Sequence, residues 1–237
     1  MRTTMAIAWK ELQVYFTTPT AYIIGAMFLI YAGIIFVLDI TSQTPEASVR
    51  SFILPSSTFF ILLSPLLTMR LLAEEQKLGT MELLLTAPVR DWEVVIGKYL
   101  ASLGALIATI ALTVYYVIMI YSFGDPDTGP VLSAYLGVIL YGAAALSIGL
   151  LASSLSSNQL VSSVVGMGTL LVLTFVDEIG ARLSGVPADI INNISLRVHF
   201  SDFSRGIIDT SNIVYYISII AVVLFLTVRS LETRRWR

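Results

Sequence analysis

The sequence has no cysteine, a single histidine and few charges: Asp, Glu, Lys and Arg together make up 13% of its 237 residues. Without cysteine there can be no disulfide, no thiolate metal site and no cysteine nucleophile. The lone His199 has no second histidine or cysteine near it, so it reads as a loop-packing side chain and no metal is expected. Soluble domains carry about a quarter charged residues, twice the share found here, whereas 56% of these residues are apolar. The chain is therefore read as an integral membrane protein. Its net charge of -2 gives no general attraction to nucleic acid, and no nucleic-acid partner is expected.

Charge is absent altogether over long runs, and a hydrocarbon core about 30 Å thick is crossed by about 20 apolar residues of helix. The first run, broken by Pro19, gives a span over 21–38, closed by Asp39. A second span covers 52–70 and contains Pro55 and Pro65, which are expected to kink it and pack inside the bundle. A third covers 95–123, its stretch from Tyr99 to Gly124 free of charge. Thr128 to Val176 is too long for one crossing. The polar cluster from Ser153 to Gln159 is the expected turn, dividing it into spans over 131–152 and 160–176. Small residues there, among them Gly142, Ala143, Ser147, Gly149, Gly166 and Gly168, allow helix backbones to approach closely. A last span over 213–229 precedes a basic tail. The fold class is an all-α membrane protein of six transmembrane helices, a single domain over 1–237.

Two flanking pieces complete it. Residues 4–16 mix Trp9, Leu12 and Tyr15 with Lys10 and Glu11, the pattern of an interfacial helix. No cleavable signal pattern is seen ahead of the first span, which is expected to be retained. The connection over 177–211 keeps apolar residues at helical spacing, so short helices outside the membrane are expected before the sixth span. With both termini cytoplasmic, ten of the fourteen Lys and Arg fall on the inner side, as the positive-inside rule requires.

The spans offer no buried carboxylate for proton or sodium coupling between their ends. Gly97-Lys98-Tyr99 lacks the upstream glycine and the following Ser or Thr of a phosphate-cradling loop. If this protein moves a substrate, it draws its energy from elsewhere. Attention therefore falls on the one large charged interruption, the island from Arg70 to Lys98. Gly79 and Thr80 followed by Glu82 read as a helix start capped by Thr80, with Leu83, Leu84 and Leu85 as an apolar face and Pro88 as a stop. A second helix is expected near Asp91, with Asp91 and Glu93 at its positive N-terminus. Leucines exposed among charges mark a partner surface.

The island's pattern EE-x-x-x-GT-x-E-x-LLT-x-P-V-x-x-WE-x-V-x-GK, Glu74 to Lys98, resembles the cytoplasmic loop of type-2 ATP-binding-cassette (ABC-2) transporter permeases, in particular their gliding-motility and copper-enzyme-maturation branch. WKELQVYFTTPTAYI near the start and His199 to Tyr216 near the end resemble the same branch. The resemblance implies a membrane-spanning permease subunit in the inner membrane, an exporter and not an enzyme, paired with a second copy or paralogue and with separate cytoplasmic ATPase subunits. ATP and magnesium would be bound by those ATPases, with no cofactor in this chain. The island would be the coupling helix between spans 2 and 3. Its ATPase-binding residues would be Glu74, Glu75, Gly79, Thr80, Glu82, Leu83, Leu84 and Pro88. The alternative is a non-transporting membrane anchor or assembly scaffold.

Overall fold

The structure is a computed structural model that describes residues 2–41, 50–80, 89–123, 126–182 and 185–235. Among these residues the only regular secondary structure is helix. In chain order the helices are α1 (Arg2–Thr17), α2 (Pro19–Ile40), α3 (Arg50–Thr58), α4 (Phe60–Leu78), α5 (Asp91–Leu112), α6 (Val114–Phe123), α7 (Thr128–Leu155), α8 (Gln159–Gly180), α9 (Val186–Ile194), α10 (Leu196–Ser204) and α11 (Thr210–Arg235). Joining α3 to α4 and α5 to α6 leaves six segments long and apolar enough to cross a bilayer. They run over Pro19–Ile40, Ile53–Leu78, Asp91–Ser122, Thr128–Leu155, Gln159–Gly180 and Thr210–Thr233. This is a multi-pass membrane protein.

The centre of the bundle is α7. Inside its most apolar window 78% of residues are buried, against 17% in α11, so α7 is wrapped by other helices while α11 turns most of its surface outward. Glycines explain the close wrapping. A Cβ on Gly149 would come within 2.3 Å of Thr68 Oγ1 and 3.3 Å of the Pro65 Cα, and one on Gly142 within 2.6 Å of the Leu106 side chain. Gly166 of α8 meets the other side of Pro65. Pro65 is thus held between two glycines, which is how α4, α7 and α8 come together. Gly168 has open space around it and takes no part in this packing.

The second span breaks at Phe59, four residues after Pro55. Phe59 N–H donates to Ser56 O at 3.1 Å, a tightened turn, and the Tyr31 hydroxyl reaches the Pro55 carbonyl at 3.4 Å. A side chain of the neighbouring helix thereby meets a backbone group at the proline break, as a low-dielectric setting demands. The third span also breaks, at Thr113, where no proline or glycine gives warning. There the Thr113 hydroxyl turns back to Ile110 O at 2.6 Å and meets the Tyr135 hydroxyl at 3.0 Å. A threonine hydroxyl bonding back to the preceding turn tends to bend a helix, and a partner on α7 fixes the bend.

The expected helix near the N-terminus is α1, but its apolar residues serve two sides. Ile7 packs at Gly97 and Leu12 at Gly104, so α1 lies lengthwise along the first turns of α5. Met5, Trp9 and Phe16 point away from the bundle, at 65%, 62% and 50% exposure, where a membrane interface would receive them. The short helices expected before the sixth span are α9 and α10. Phe200 and Phe203 of α10 are fully buried, and a Cβ on Gly137 of α7 would come within 2.5 Å of Phe203, so α10 caps the bundle by close contact with α7.

Candidate functional site

The charged island joins α4 to α5, and its geometry is legible at both roots. At the first, α4 carries Glu74 and Glu75 in its last turns and stops at Gly79. Gly79 adopts a left-handed backbone, φ 71°, and its N–H donates to Gln76 O at 3.3 Å. A residue with a Cβ is strained there, so glycine sets where the helix ends. The Thr80 hydroxyl turns back to the Glu75 carbonyl at 3.3 Å, serving the end of α4. At the second root α5 begins at Asp91. The Glu93 carboxylate accepts from the Arg90 backbone N–H at 3.1 Å, the carboxylate half of a capping box. Residues 81–88 lie outside the described residues. Of the expected ATPase-binding residues, Glu82, Leu83, Leu84 and Pro88 therefore have no described position, nor does the leucine-faced coupling helix.

Glu74 and Glu75 diverge. Glu74 is exposed, whereas Glu75 turns inward to the ammonium of Lys98, Oε1 to Nζ 2.8 Å. Lys98 Nζ also meets Glu11 Oε1 of α1 at 2.9 Å, and the lysine side chain is only 2% exposed. One ammonium thus ties three helices: α1, α4 and α5. A buried ammonium is costly unless paired, and two carboxylates supply the pairing. The charge-free reading of the third span holds from Tyr99 onward; one residue earlier, at Lys98, the span's entrance holds an ion cluster.

A second tie lies beside it. The Arg70 guanidinium stands 4.5 Å above the Tyr15 ring, and Nη1 donates to Thr18 Oγ1 at 3.1 Å. The Tyr15 hydroxyl in turn donates to Leu67 O at 2.6 Å. Burial pushes the Tyr15 phenol far above its ordinary range, against the pull of Arg70, so it stays a neutral donor.

The third tie comes from α7. The Ser153 hydroxyl accepts from the N–H groups of Leu72 and Ala73, at 3.1 and 3.0 Å, and donates to Met69 O at 3.0 Å. Gln76 Nε2 adds a bond to the Ser154 carbonyl at 3.0 Å. The last turns of α4 are thereby spliced to the end of α7. Glu75 Oε2 and Arg70 Nη2 are buried with no hydrogen-bond partner among the described residues, so the roots keep polar capacity in reserve.

That Lys98, Glu11, Arg70, Tyr15 and Ser153 tie helices together was not expected from the sequence. One signal was available: Glu11 is the only acidic residue of α1 and Lys98 the only basic residue of α5, each the one charge of its sign on its helix. Ser153 gives no such signal, because it stands among several serines and only packing selects it.

His199 lies at the opposite end of the bundle from the island. Its Nδ1 is 2.6 Å from Asn212 Oδ1, its Nε2 3.2 Å from Asn193 O, and its ring stacks on Tyr215 with centroids 3.7 Å apart. Both nitrogens face oxygens of the protein, and the ring joins α10 to α11.

A family model described as "ABC-2 family transporter protein" matches residues 37–230. A curated protein of Escherichia coli strain K12, "Probable multidrug ABC transporter permease YbhR", is 31% identical over 117 residues, 48% of this chain and 31% of the relative. Its counterpart in Escherichia coli O157:H7 matches equally. The aligned part thus spans less than a third of the relatives' length.

Proposed function

Because the chain belongs to the ABC-2 transporter family, whose model covers most of it, we propose that it is the permease subunit of an ATP-driven exporter, worked through the island between α4 and α5. The bundle sits in the inner membrane with both termini cytoplasmic, and separate ATPase subunits bind ATP and magnesium on the island side. A second permease copy or paralogue completes the transporter. The branch with which the island's motif agrees is the one concerned with gliding motility and maturation of copper enzymes.

The observation that carries this reading is the triple tie at the island's roots. A loop that only linked two helices could hang from flexible ends. Here the last turns of α4 are fastened to α1 through Tyr15 and Arg70, to α5 through Glu75 and Lys98, and to α7 through Ser153. A push on residues 79–90 is therefore received by α1, α4, α5 and α7 as one block, which suits transmission of force from an ATPase. Within the island, Gly79, Thr80, Glu82, Leu83, Leu84 and Pro88 would shape the docking element, and Glu74 and Glu75 would brace it.

Copurification tests the proposal. Co-expressed with its cognate ATP-binding-cassette ATPase, the chain should retain that ATPase, and Leu83→Asp with Leu84→Asp should abolish retention while leaving the permease folded. Retention unchanged by the double substitution would overturn the coupling role.

A further inference from the structure

At the end of the bundle remote from the island, the half-buried ring of His199 stands where the end of α9, the middle of α10 and the start of α11 meet. We propose that this ring is a proton-operated latch: as imidazolium it closes the end of α9 onto α10 and α11, and on losing one proton it lets that end go. The donors and acceptors around the ring fix how many protons the closed state needs. Nδ1 lies 2.6 Å from Asn212 Oδ1. Asn212 is not free to turn over, because its Nδ2 donates to Asp202 Oδ2 at 3.0 Å and the reverse orientation would set oxygen against oxygen. Nδ1 is therefore a donor. Nε2 lies 3.2 Å from the backbone oxygen of Asn193, which can only accept. A neutral imidazole carries one N–H and serves one of these oxygens, so only the charged ring serves both.

The groups on each packed element agree with a cation there. On α11 the Tyr215 ring stacks on His199 with centroids 3.7 Å apart, an aromatic face that attracts positive charge, and its hydroxyl is committed to Ile194 O at 2.6 Å. Asp209, just before α11, turns to the Ser211 N–H at 2.9 Å. On α10 Asp202 reaches the ring through Asn212, while Arg197 is drawn off by Asp177 and Glu178 of α8 at 3.5 and 3.6 Å, and Arg205 is exposed beyond the end of the helix. On α9 the charged residue is Asp189, exposed one turn before Asn193. No residue of α9 is buried, so its last turn depends on few holds, among them the bonds to the Asn193 and Ile194 oxygens. Removing the Nε2 proton sets a lone pair against the Asn193 oxygen and turns one hold into a repulsion. Segments with few buried contacts are those that open locally. The latch is thus closed on the acid side and released as pH rises.

The test uses the full chain alone, in nanodiscs of zwitterionic lipid, with no ATPase present. His199 is the sole histidine, so labelling histidine with nitrogen-15 reports this ring alone. The chain has no cysteine, so nitroxides can be attached at Ile190→Cys on α9 and Val222→Cys on α11, both exposed positions. Ring protonation is followed by NMR and the label separation by pulsed electron paramagnetic resonance, from about pH 5.5 to about pH 8.5, a range that brackets ordinary histidine titration near about 6.5. The expected result is a narrow distance distribution on the acid side that broadens about twofold as one ring nitrogen loses its proton, with the two midpoints coinciding. His199→Gln should give the broad distribution at every pH. Asp202→Asn lets Asn212 turn over and offer an N–H to a neutral ring, so that protein should stay closed throughout. A distribution that does not change with pH, a midpoint apart from that of the ring, the parent's pH response in His199→Gln, or release of Asp202→Asn at the parent's midpoint would overturn the proposal. Should either substituted protein fail to fold, the coincidence of the two midpoints with His199 and Asp202 in place decides.

Discussion

The ammonium of Lys98 lies 2.9 Å from the carboxylate of Glu11, 87 residues earlier in the chain, and this contact fixes the first helix against the helix that leaves the island. Glu75 meets the same ammonium from the other side of the island at 2.8 Å. Three helices therefore share one small ionic centre that solvent barely reaches.

Lys98→Met should lower the unfolding free energy by about 3 kcal/mol, since removing one member of a buried ionic set leaves the others uncompensated. Glu75→Gln should cost less, because Lys98 keeps Glu11. Thermal unfolding in detergent ranks the two variants, and a Lys98→Met protein as stable as the parent would show that the cluster is not holding the helices.

Removing the Ser153 hydroxyl leaves the Leu72 and Ala73 amides without that acceptor and Met69 O without that donor. Both amides lie inside α4 and keep its intrahelical acceptors, so Ser153→Ala is expected to destabilise by about 1 kcal/mol, the net worth of a buried hydrogen bond. Amide exchange at Leu72 and Ala73 should accelerate in the same variant, which separates loss of this clamp from general loosening.

Gly149→Ala and Gly168→Ala form a matched pair. At Gly149 the new methyl would meet Thr68 Oγ1 at 2.3 Å with Pro65 backbone behind it, whereas at Gly168 it meets nothing within 4 Å. The first should destabilise by about 1–3 kcal/mol through overpacking. The second should not lower the unfolding midpoint of the isolated chain, since an unobstructed alanine favours the helix over glycine.

At Gly79 the left-handed backbone makes Gly79→Ala cost about 1 kcal/mol of local strain, relieved by letting the end of α4 move. In the proposed transporter this should reduce ATPase stimulation by the permease more than it reduces overall stability. Stimulation falling no further than the melting midpoint predicts would separate Gly79 from coupling.

Tyr15 gives a pH test. Its folded phenol titrates well above the ordinary value because it is buried, so the neutral form is favoured by folding. That contribution is complete below the unfolded phenol's pKa of about 10 and shrinks as pH rises above it. Tyr15→Phe should lose about 1 kcal/mol of stability at neutral pH and flatten the alkaline decline expected of the parent, as thermal unfolding measured against pH would show.

Much of this molecule could be read in one dimension. A run without charge identifies a helix in lipid because no local alternative satisfies the backbone there, so all six spans are evident from composition and length. Glycine at the end of α4 and acidic residues at the start of α5 are local signals, set by backbone conformation and the helix dipole within a turn or two. The break at Thr113 had no such signal, because it depends on the hydroxyl of Tyr135 on another helix. The splice at Ser153 was hidden for the same reason.

The sequence alone determined that this is a membrane bundle, that its one long charged interruption lies between the second and third spans, and that its motif resembles an ABC-2 permease loop. Those properties reside in composition and short-range pattern, where each residue acts on its neighbours. Only the tertiary structure decided what the ends of that interruption hold: Glu75 turned inward while Glu74 faces out, Lys98 placed between two helices, and Ser153 set against α4. Which of several similar side chains becomes a tie depends on distances between helices far apart in the chain, and those are fixed by packing around α7.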